Sequence, residues 1–193
     1  MSLVVLTNIP TPCRTAFFDA LAEAAACAGK RFHVLYCAKT EQGRHWPYEP
    51  AKMKHAHTVL RGFHPSLTGM RAHLNPGVLA ELNLLKPDAL VVAGPWSTPT
   101  ILLAGLNLYS PPPRRFYLFD AEVKADETRF SPIAWLRRQA YRRYDEVIAT
   151  SALAVESAKA HAGDESPIAS LTGTKDSSGL AKAILSHIYP SRL

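Results

Sequence analysis

The sequence has little of what membrane spans, disulfide frameworks and the common nucleotide cradles require. Its unbroken apolar runs, such as Leu90-Val91-Val92-Ala93, fall far short of the ~20 residues that cross a bilayer. Cysteine occurs only three times, as Cys13, Cys27 and Cys37. An odd number at wide spacing fits neither a disulfide framework nor a zinc site; Cys27 and Cys37 are expected to pack as small hydrophobes, and Cys13 to sit in a loop. The stretch from Met1 to Asn8 has no basic n-region and no small-residue cleavage pattern, so no signal peptide is expected and the expected location is the cytoplasm. Neither Gly-x-Gly-x-x-Gly nor Gly-x-x-x-x-Gly-Lys-Ser/Thr occurs, which speaks against a nicotinamide dehydrogenase or a P-loop kinase. None of the eight histidines forms His-Glu-x-x-His, so no metal site is proposed. Ser97 and Ser151 lack the Gly-x-Ser-x-Gly elbow of serine hydrolases.

What is present is a globular chain. Of 193 residues, 47% are hydrophobic and 20% charged, enough apolar material for the core of one large domain. The net charge of +6 is uneven, because Arg114, Arg115, Arg137, Arg138, Arg142 and Arg143 crowd one stretch. Such a face favours anionic partners, whether phosphates or acidic lipid head groups. Nucleic acid is not expected, since no recognition motif accompanies these arginines.

Leu3 to Leu6 reads as a buried strand that ends in a loop with two prolines, Pro10 and Pro12. Apolar residues at helical spacing then run from Arg14 to Ala28, with Gly29 as a C-terminal cap, and Phe32 to Ala38 is a second strand. Thr40 to Pro50 reads as a long exposed loop and His57 to Leu60 as a short strand. Asn75-Pro76-Gly77 introduces a helix through Leu85, Ala89 to Ala93 is a strand, Thr98 to Leu108 a helix and Arg115 to Phe119 another strand. Ile133 to Tyr144 reads as an amphipathic helix: Ile133, Leu136, Ala140 and Tyr144 form its apolar stripe, with Arg138 and Arg142 opposite and Arg137 and Arg143 flanking. Val147 to Ala149 and Ala152 to Ala162 continue the alternation, with Thr150-Ser151 offering an N-cap. A strand over Pro167 to Leu171 and a helix over Leu180 to Ile188 close the chain. This rhythm predicts a three-layer α/β/α, Rossmann-like or flavodoxin-like domain with a mainly parallel sheet, over residues 1–163, followed by a tail over 164–193.

In such sheets ligands sit outside the carboxyl ends of the strands, which directs attention to four loops. The first offers Asn8, Thr11, Pro12 and Arg14, where helix N–H groups and a guanidinium suit an anionic oxygen. Trp96 and Ser97 end a buried strand, and an indole face suits a sugar ring. Asp120 and Glu122 follow another strand as candidate catalytic carboxylates, and Ser151 follows a fourth. Arg44, His45 and Trp46 combine donors with an aromatic surface in the long loop.

The ordered series Leu6-Thr7-Asn8-Ile9-Pro10-Thr11-Pro12-Cys13-Arg14, Phe17-Phe18-Asp19-Ala20-Leu21, Arg44-His45-Trp46, Asn75-Pro76-Gly77-Val78, Lys86-Pro87-Asp88, Gly94-Pro95-Trp96-Ser97 and Ile148-Ala149-Thr150-Ser151 resembles the amino-terminal half of GT-B glycosyltransferases of the family 4 type. The resemblance spans roughly Leu3 to His161. It implies one half of a two-domain architecture, the half that holds the acceptor, with a nucleotide-sugar donor bound by the other half and no metal or other cofactor needed for transfer. Glu41 and Glu49 stand at the interval of the donor half's carboxylate pair, but Pro47 interrupts them and they fall in the wrong half.

By position, the resemblance puts residues 8–14 along the cleft, Trp96 and Ser97 at the acceptor, and Asp120 or Glu122 near the reacting carbon. The implied acceptor is a glycan or lipid-linked sugar, and the basic helix implies peripheral contact with the anionic inner face of a membrane. Without a donor half, the chain alone is expected to be inactive. A non-catalytic subunit that docks a separate donor-binding chain and a stand-alone nucleotide-binding α/β domain both stay open as alternatives. Asp176 to Ile188 also resembles the helix with which such enzymes return to the first domain.

Overall fold

The computed structural model describes residues 1–41, 43–44, 46–67, 70–106, 108, 112–119, 132–162, 167–173 and 176–190. Seven strands form one parallel sheet in the order β3-β2-β1-β6-β7-β8-β9: β1 (Ser2–Thr7), β2 (Arg31–Tyr36), β3 (His57–Val59), β6 (Ala89–Ala93), β7 (Arg114–Phe119), β8 (Glu146–Ala149) and β9 (Ile168–Ser170). Two short strands, β4 (Ser66–Leu67) and β5 (Met70–Arg71), pair antiparallel apart from it. The central strands are buried along their length, as continuous Val, Leu and Ala runs require when helices cover both sheet faces.

One face carries α2 (Val78–Leu85), α3 (Pro99–Gly105), α4 (Pro132–Tyr141) and α5 (Ala152–Ala162); the other carries α1 (Pro12–Cys27) and α6 (Ser177–Ile188). On the second face Phe18, Leu21 and Ala25 of α1 share a core with Ala181, Ile184 and Ile188 of α6. The fold is thus the α/β, Rossmann-like arrangement the alternation predicted. Residues of the tail form β9, which extends the sheet beside β8, and α6, which crosses to the α1 face.

Several boundaries move for local reasons. Pro12 opens α1 rather than belonging to the loop before it, because the first helical position has no use for an N–H. Thr11 is the N-cap, and its hydroxyl accepts from the Arg14 N–H. Gly29 follows the helix at φ +64, the left-handed position that glycine adopts without strain. Helix α3 ends at Gly105, three residues before the expected Leu108.

The largest correction concerns α4, which is rotated from its expected setting. Its buried residues are Ala134, Arg137, Ala140 and Tyr141, whereas Ile133 and Leu136 of the expected apolar stripe are 55% and 52% exposed. Small residues let the helix lie close to the sheet, so the Ala134 and Ala140 side goes inward and takes Arg137 with it. Cys27 is a second correction: it is exposed at the end of α1, while Cys37 is buried as expected. Burial pushes the Cys37 thiol up to about 12, which keeps it protonated and unreactive.

Candidate functional site

The order of strands reverses between β1 and β6, the place where doubly wound sheets open a crevice at their carboxyl ends. Thr7 is the last residue of β1 and lies in register between Tyr36 and Ala93. Its hydroxyl donates to the Ala93 carbonyl at 2.5 Å. Capping by Thr11 puts Arg14 in the first turn of α1, from which its guanidinium reaches across the reversal; Nη1 donates to Thr7 Oγ1 and to the Ala93 carbonyl. These two bonds set the position of the guanidinium at the reversal. Gly94 leaves little room here: a Cβ would stand 2.7 Å from Asn8 Oδ1 and 2.7 Å from Ile101 Cδ1, so the ends of those side chains would have to shift.

Beyond this bridge is a cavity of about 280 Å³ walled by Arg14, Trp96, Phe119, Arg137, Tyr141 and His161, with Gly94-Pro95 and the end of β7 completing it. The Tyr117 hydroxyl donates to the Gly94 carbonyl, and its ring meets Tyr141 edge-on at 4.8 Å. Phe119 lies 5.9 Å from Tyr141 and 6.0 Å from His161, so the floor is aromatic. Burial pushes the Tyr141 hydroxyl up to about 12, which keeps its proton in place at neutral pH. Arg137 is only 9% exposed. Among the described lining residues there are two guanidiniums and an imidazole, and no carboxylate.

Not all the residues expected at the site meet in this cavity. Arg14 and Trp96 line it, and Asn8 adjoins it at Gly94 with its Oδ1 buried and without a hydrogen-bond partner. Thr11, Pro12 and Trp46 line a separate hollow of about 330 Å³ against Asp19 and Lys52. Arg44 is exposed and stacks its guanidinium over the Trp46 ring at 5.1 Å. Ser97 is exposed, and the Ser151 hydroxyl caps α5 by accepting from the Ala154 N–H at 3.0 Å. Asp120, Glu122 and His45 lie outside the described residues.

Sequence reasoning missed Arg137, Tyr141 and His161 as site residues. The available signal was the second periodicity of α4, in which Ala134, Arg137 and Tyr141 share a face with small Ala140. Two polar networks were also missed. His55 Nδ1 bonds Asp19 Oδ1 at 2.6 Å while its Nε2 meets the Tyr36 hydroxyl at 2.9 Å, pinning the chain before β3 to α1. His73 joins Glu41 at 2.9 Å and His64 at 3.1 Å, holding the loop after β2 against the β4–β5 segment. A larger groove of about 690 Å³, with Asp88, Arg114 and Tyr189, lies at the amino ends of the strands, away from the crevice. Among the described residues no group of three or more His, Cys, Asp or Glu could hold a metal, and no helix is long and apolar enough to cross a membrane.

Strand order, layering and a cavity at the reversal of the sheet define a Rossmann-like α/β domain, consistent with one half of a GT-B architecture. No family model and no curated protein matches the sequence. Among solved structures, the chain is similar to a sucrose-phosphate synthase from Thermosynechococcus elongatus. The two superpose with a TM-score of 0.55 at 13% identity, over 96% of this chain and 97% of that chain. At that identity the likeness establishes the fold alone.

Proposed function

We propose that this chain is the amino-terminal, acceptor-side domain of a GT-B glycosyltransferase of the family 4 type. The observation that carries the reading is the cavity at the β1/β6 reversal, where an indole and an aromatic floor meet fixed cationic donors on a transferase-like fold. Trp96 offers an apolar surface to one face of a sugar ring, and Arg14 and Arg137 offer donors to its polar edge. The acceptor is a glycan or lipid-linked sugar; a nucleotide-sugar donor sits on a second Rossmann-like unit, whether of a longer protein or of a separate chain.

In transfer, an acceptor hydroxyl attacks the anomeric carbon of the donor and the nucleotide phosphate leaves. This chain's part is to hold the acceptor and exclude water, with Asp120 or Glu122 as the polar group near the reacting carbon. A lone acceptor domain offers the leaving phosphate no preorganised donors, so it has no turnover by itself. A stand-alone nucleotide or flavin-binding domain is less well supported, because about 280 Å³ lies just below the ~300–1,000 Å³ range of ligand pockets.

The rotated α4 supports the membrane contact. Ile133, Trp135 and Leu136 are 55%, 60% and 52% exposed on α4, and Arg142 and Arg143, which follow the helix, are exposed too. Apolar side chains beside arginines are what an anionic interface takes up.

Titration calorimetry of the chain against uridine- and guanosine-diphosphate sugars and against candidate acceptors tests the reading. Acceptor binding weakened by Trp96→Ala, with no donor turnover, is the expected result. Tight donor binding with turnover, or no response to any sugar, overturns it.

A further inference from the structure

We propose that His55 and His57, with His33 behind them, form an acid-released latch: as they take up protons, β3 and residues 46–56 before it come away from β2 and α1 while the rest of the sheet stays closed. The inference stands on this edge of the fold and does not depend on the acceptor-side reading.

The latch follows from how little else holds the segment. β3 is the last strand of the sheet and meets only β2, in three register pairs, Val34 with His57, Leu35 with Thr58 and Tyr36 with Val59. Short edge elements of this kind are the ones that open locally. Across residues 46–59, all of them described, His55 is the one buried residue, at 3% exposure. An imidazole thus stands where an aliphatic anchor would be usual. Its Nδ1–H donates to Asp19 Oδ1 at 2.6 Å, which leaves Nε2 of the neutral ring to accept from the Tyr36 hydroxyl at 2.9 Å. The same Asp19 oxygen takes the backbone N–H groups of Lys54 at 2.8 Å and His55 at 3.1 Å. His57 repeats the pattern: Nδ1–H donates to the His55 carbonyl at 3.2 Å, and Nε2 accepts from the Tyr48 hydroxyl at 3.1 Å. From β2, His33 Nε2 meets Thr58 Oγ1 at 2.9 Å.

Protons work against this arrangement. A proton on Nε2 of His55 or His57 takes the lone pair to which Tyr36 or Tyr48 donates. The two rings lie 5.6 Å apart, each about 6 Å from the buried Tyr36 ring, so charging both sets like charges together in a poorly hydrated place. Burial and His57 lower the pKa of His55 below 6.5 against the pull of Asp19 from α1, and burial, then His57 and His55, lower that of His33. Other charged groups at this edge do not relieve the strain: Glu49 pairs with Lys52 at 2.7 Å, Lys39 lies over the Tyr48 ring at 5.7 Å, Lys54 is exposed, and Arg31 shares a face of β2 with His33. Once released, the rings regain water and their ordinary basicity. The latch is therefore complete above pH 6.5 and is lost as pH falls below it. Trp46, Pro47, Glu49, Lys52 and Met53 wall the hollow over the start of α1, so release opens that hollow.

The test is hydrogen exchange of the full chain read by mass spectrometry at pH values from 7.5 to 5.5, with labelling times matched for intrinsic exchange. An imidazole of pKa 6.5 when released and lower when latched raises the opening constant by up to ~10-fold over that interval. Peptides covering residues 46–60 are expected to lose about tenfold in protection, while those of β1 and β6 keep theirs. His57→Gln and His33→Gln each remove a like charge beside His55 and should move the midpoint of this loss to lower pH. A merely structural role would lower protection at every pH without moving the midpoint, and His64→Gln, outside the cluster, should change nothing in this segment. Loss of protection spread evenly over the chain, a change below about twofold in residues 46–60, or a midpoint unmoved in both variants overturns the proposal. Should the variants fail to fold, the imidazole C–H resonances of the unaltered chain decide: His55 titrating below 6.5 together with the loss of amide protection supports the latch, and His55 titrating at or above 6.5 refutes it.

Discussion

Asn75 illustrates how one buried side chain organises the approach to the crevice. It is fully buried, and its Nδ2 donates to the carbonyls of Cys37 at 2.9 Å and Leu60 at 3.3 Å, just beyond β2 and β3. Its Oδ1 accepts from the Thr100 hydroxyl at 2.8 Å, and its N–H donates to the same oxygen at 2.9 Å. One amide therefore ties two strand ends to the starts of α2 and α3. Asn75→Ala removes three side-chain hydrogen bonds worth ~1 kcal/mol each, and the buried groups left unpaired add to the loss. The expected destabilisation is about 3 kcal/mol, or roughly 6–12 °C in Tm for a chain of this size. Urea unfolding followed by circular dichroism and tryptophan fluorescence measures it. In a cycle with Thr100→Val, the pair should show a coupling of about 1 kcal/mol. Asn75→Asp should cost at least as much, because it sets a carboxylate against two carbonyls. A loss below about 1 kcal/mol for Asn75→Ala, with no coupling to Thr100, would refute the reasoning.

Gly94→Ala should cost about 1–3 kcal/mol through overpacking against Asn8 and Ile101, while Gly77→Ala, where a Cβ meets nothing within 4 Å, should cost far less; equal urea midpoints for the two would count against the close approach. Burial lowers the pKa of His33, His55 and His64 below 6.5, in His55 despite the Asp19 partner. Their contribution to stability is full above the unfolded value and is lost as pH falls below it, so the urea midpoint should drop between pH 7.5 and pH 5.5, and a rise would contradict the assignment. Sedimentation with vesicles should show binding to anionic but not zwitterionic lipid, weakened by raised salt and by Trp135→Ala with Leu136→Ser. Burial of each such apolar side chain is worth up to ~1.5–3 kcal/mol, and binding unchanged in that double variant would exclude the α4 face as the contact.

The sequence by itself determined the layers of this domain. Strand and helix periods are local properties of the chain, and a five-residue apolar run such as Ala89 to Ala93, set between Pro87 and Gly94-Pro95, reads as a strand buried on both faces. Arg14 and Trp96 were legible as site residues because the carboxyl ends of strands are where such sheets receive ligands. Tertiary structure decided the rest. The rotation of α4 depends on how closely a helix can approach the sheet, which apolar periodicity does not report. That rotation is what carries Arg137 inward and leaves Ile133, Trp135 and Leu136 outside. Arg14, Arg137 and His161 meet only because the sheet brings together residues separated by more than a hundred positions, and no local pattern encodes that distance. Trp46 and Ser151 show the converse: residue types suited to binding, which the fold places in a separate hollow and at a helix cap.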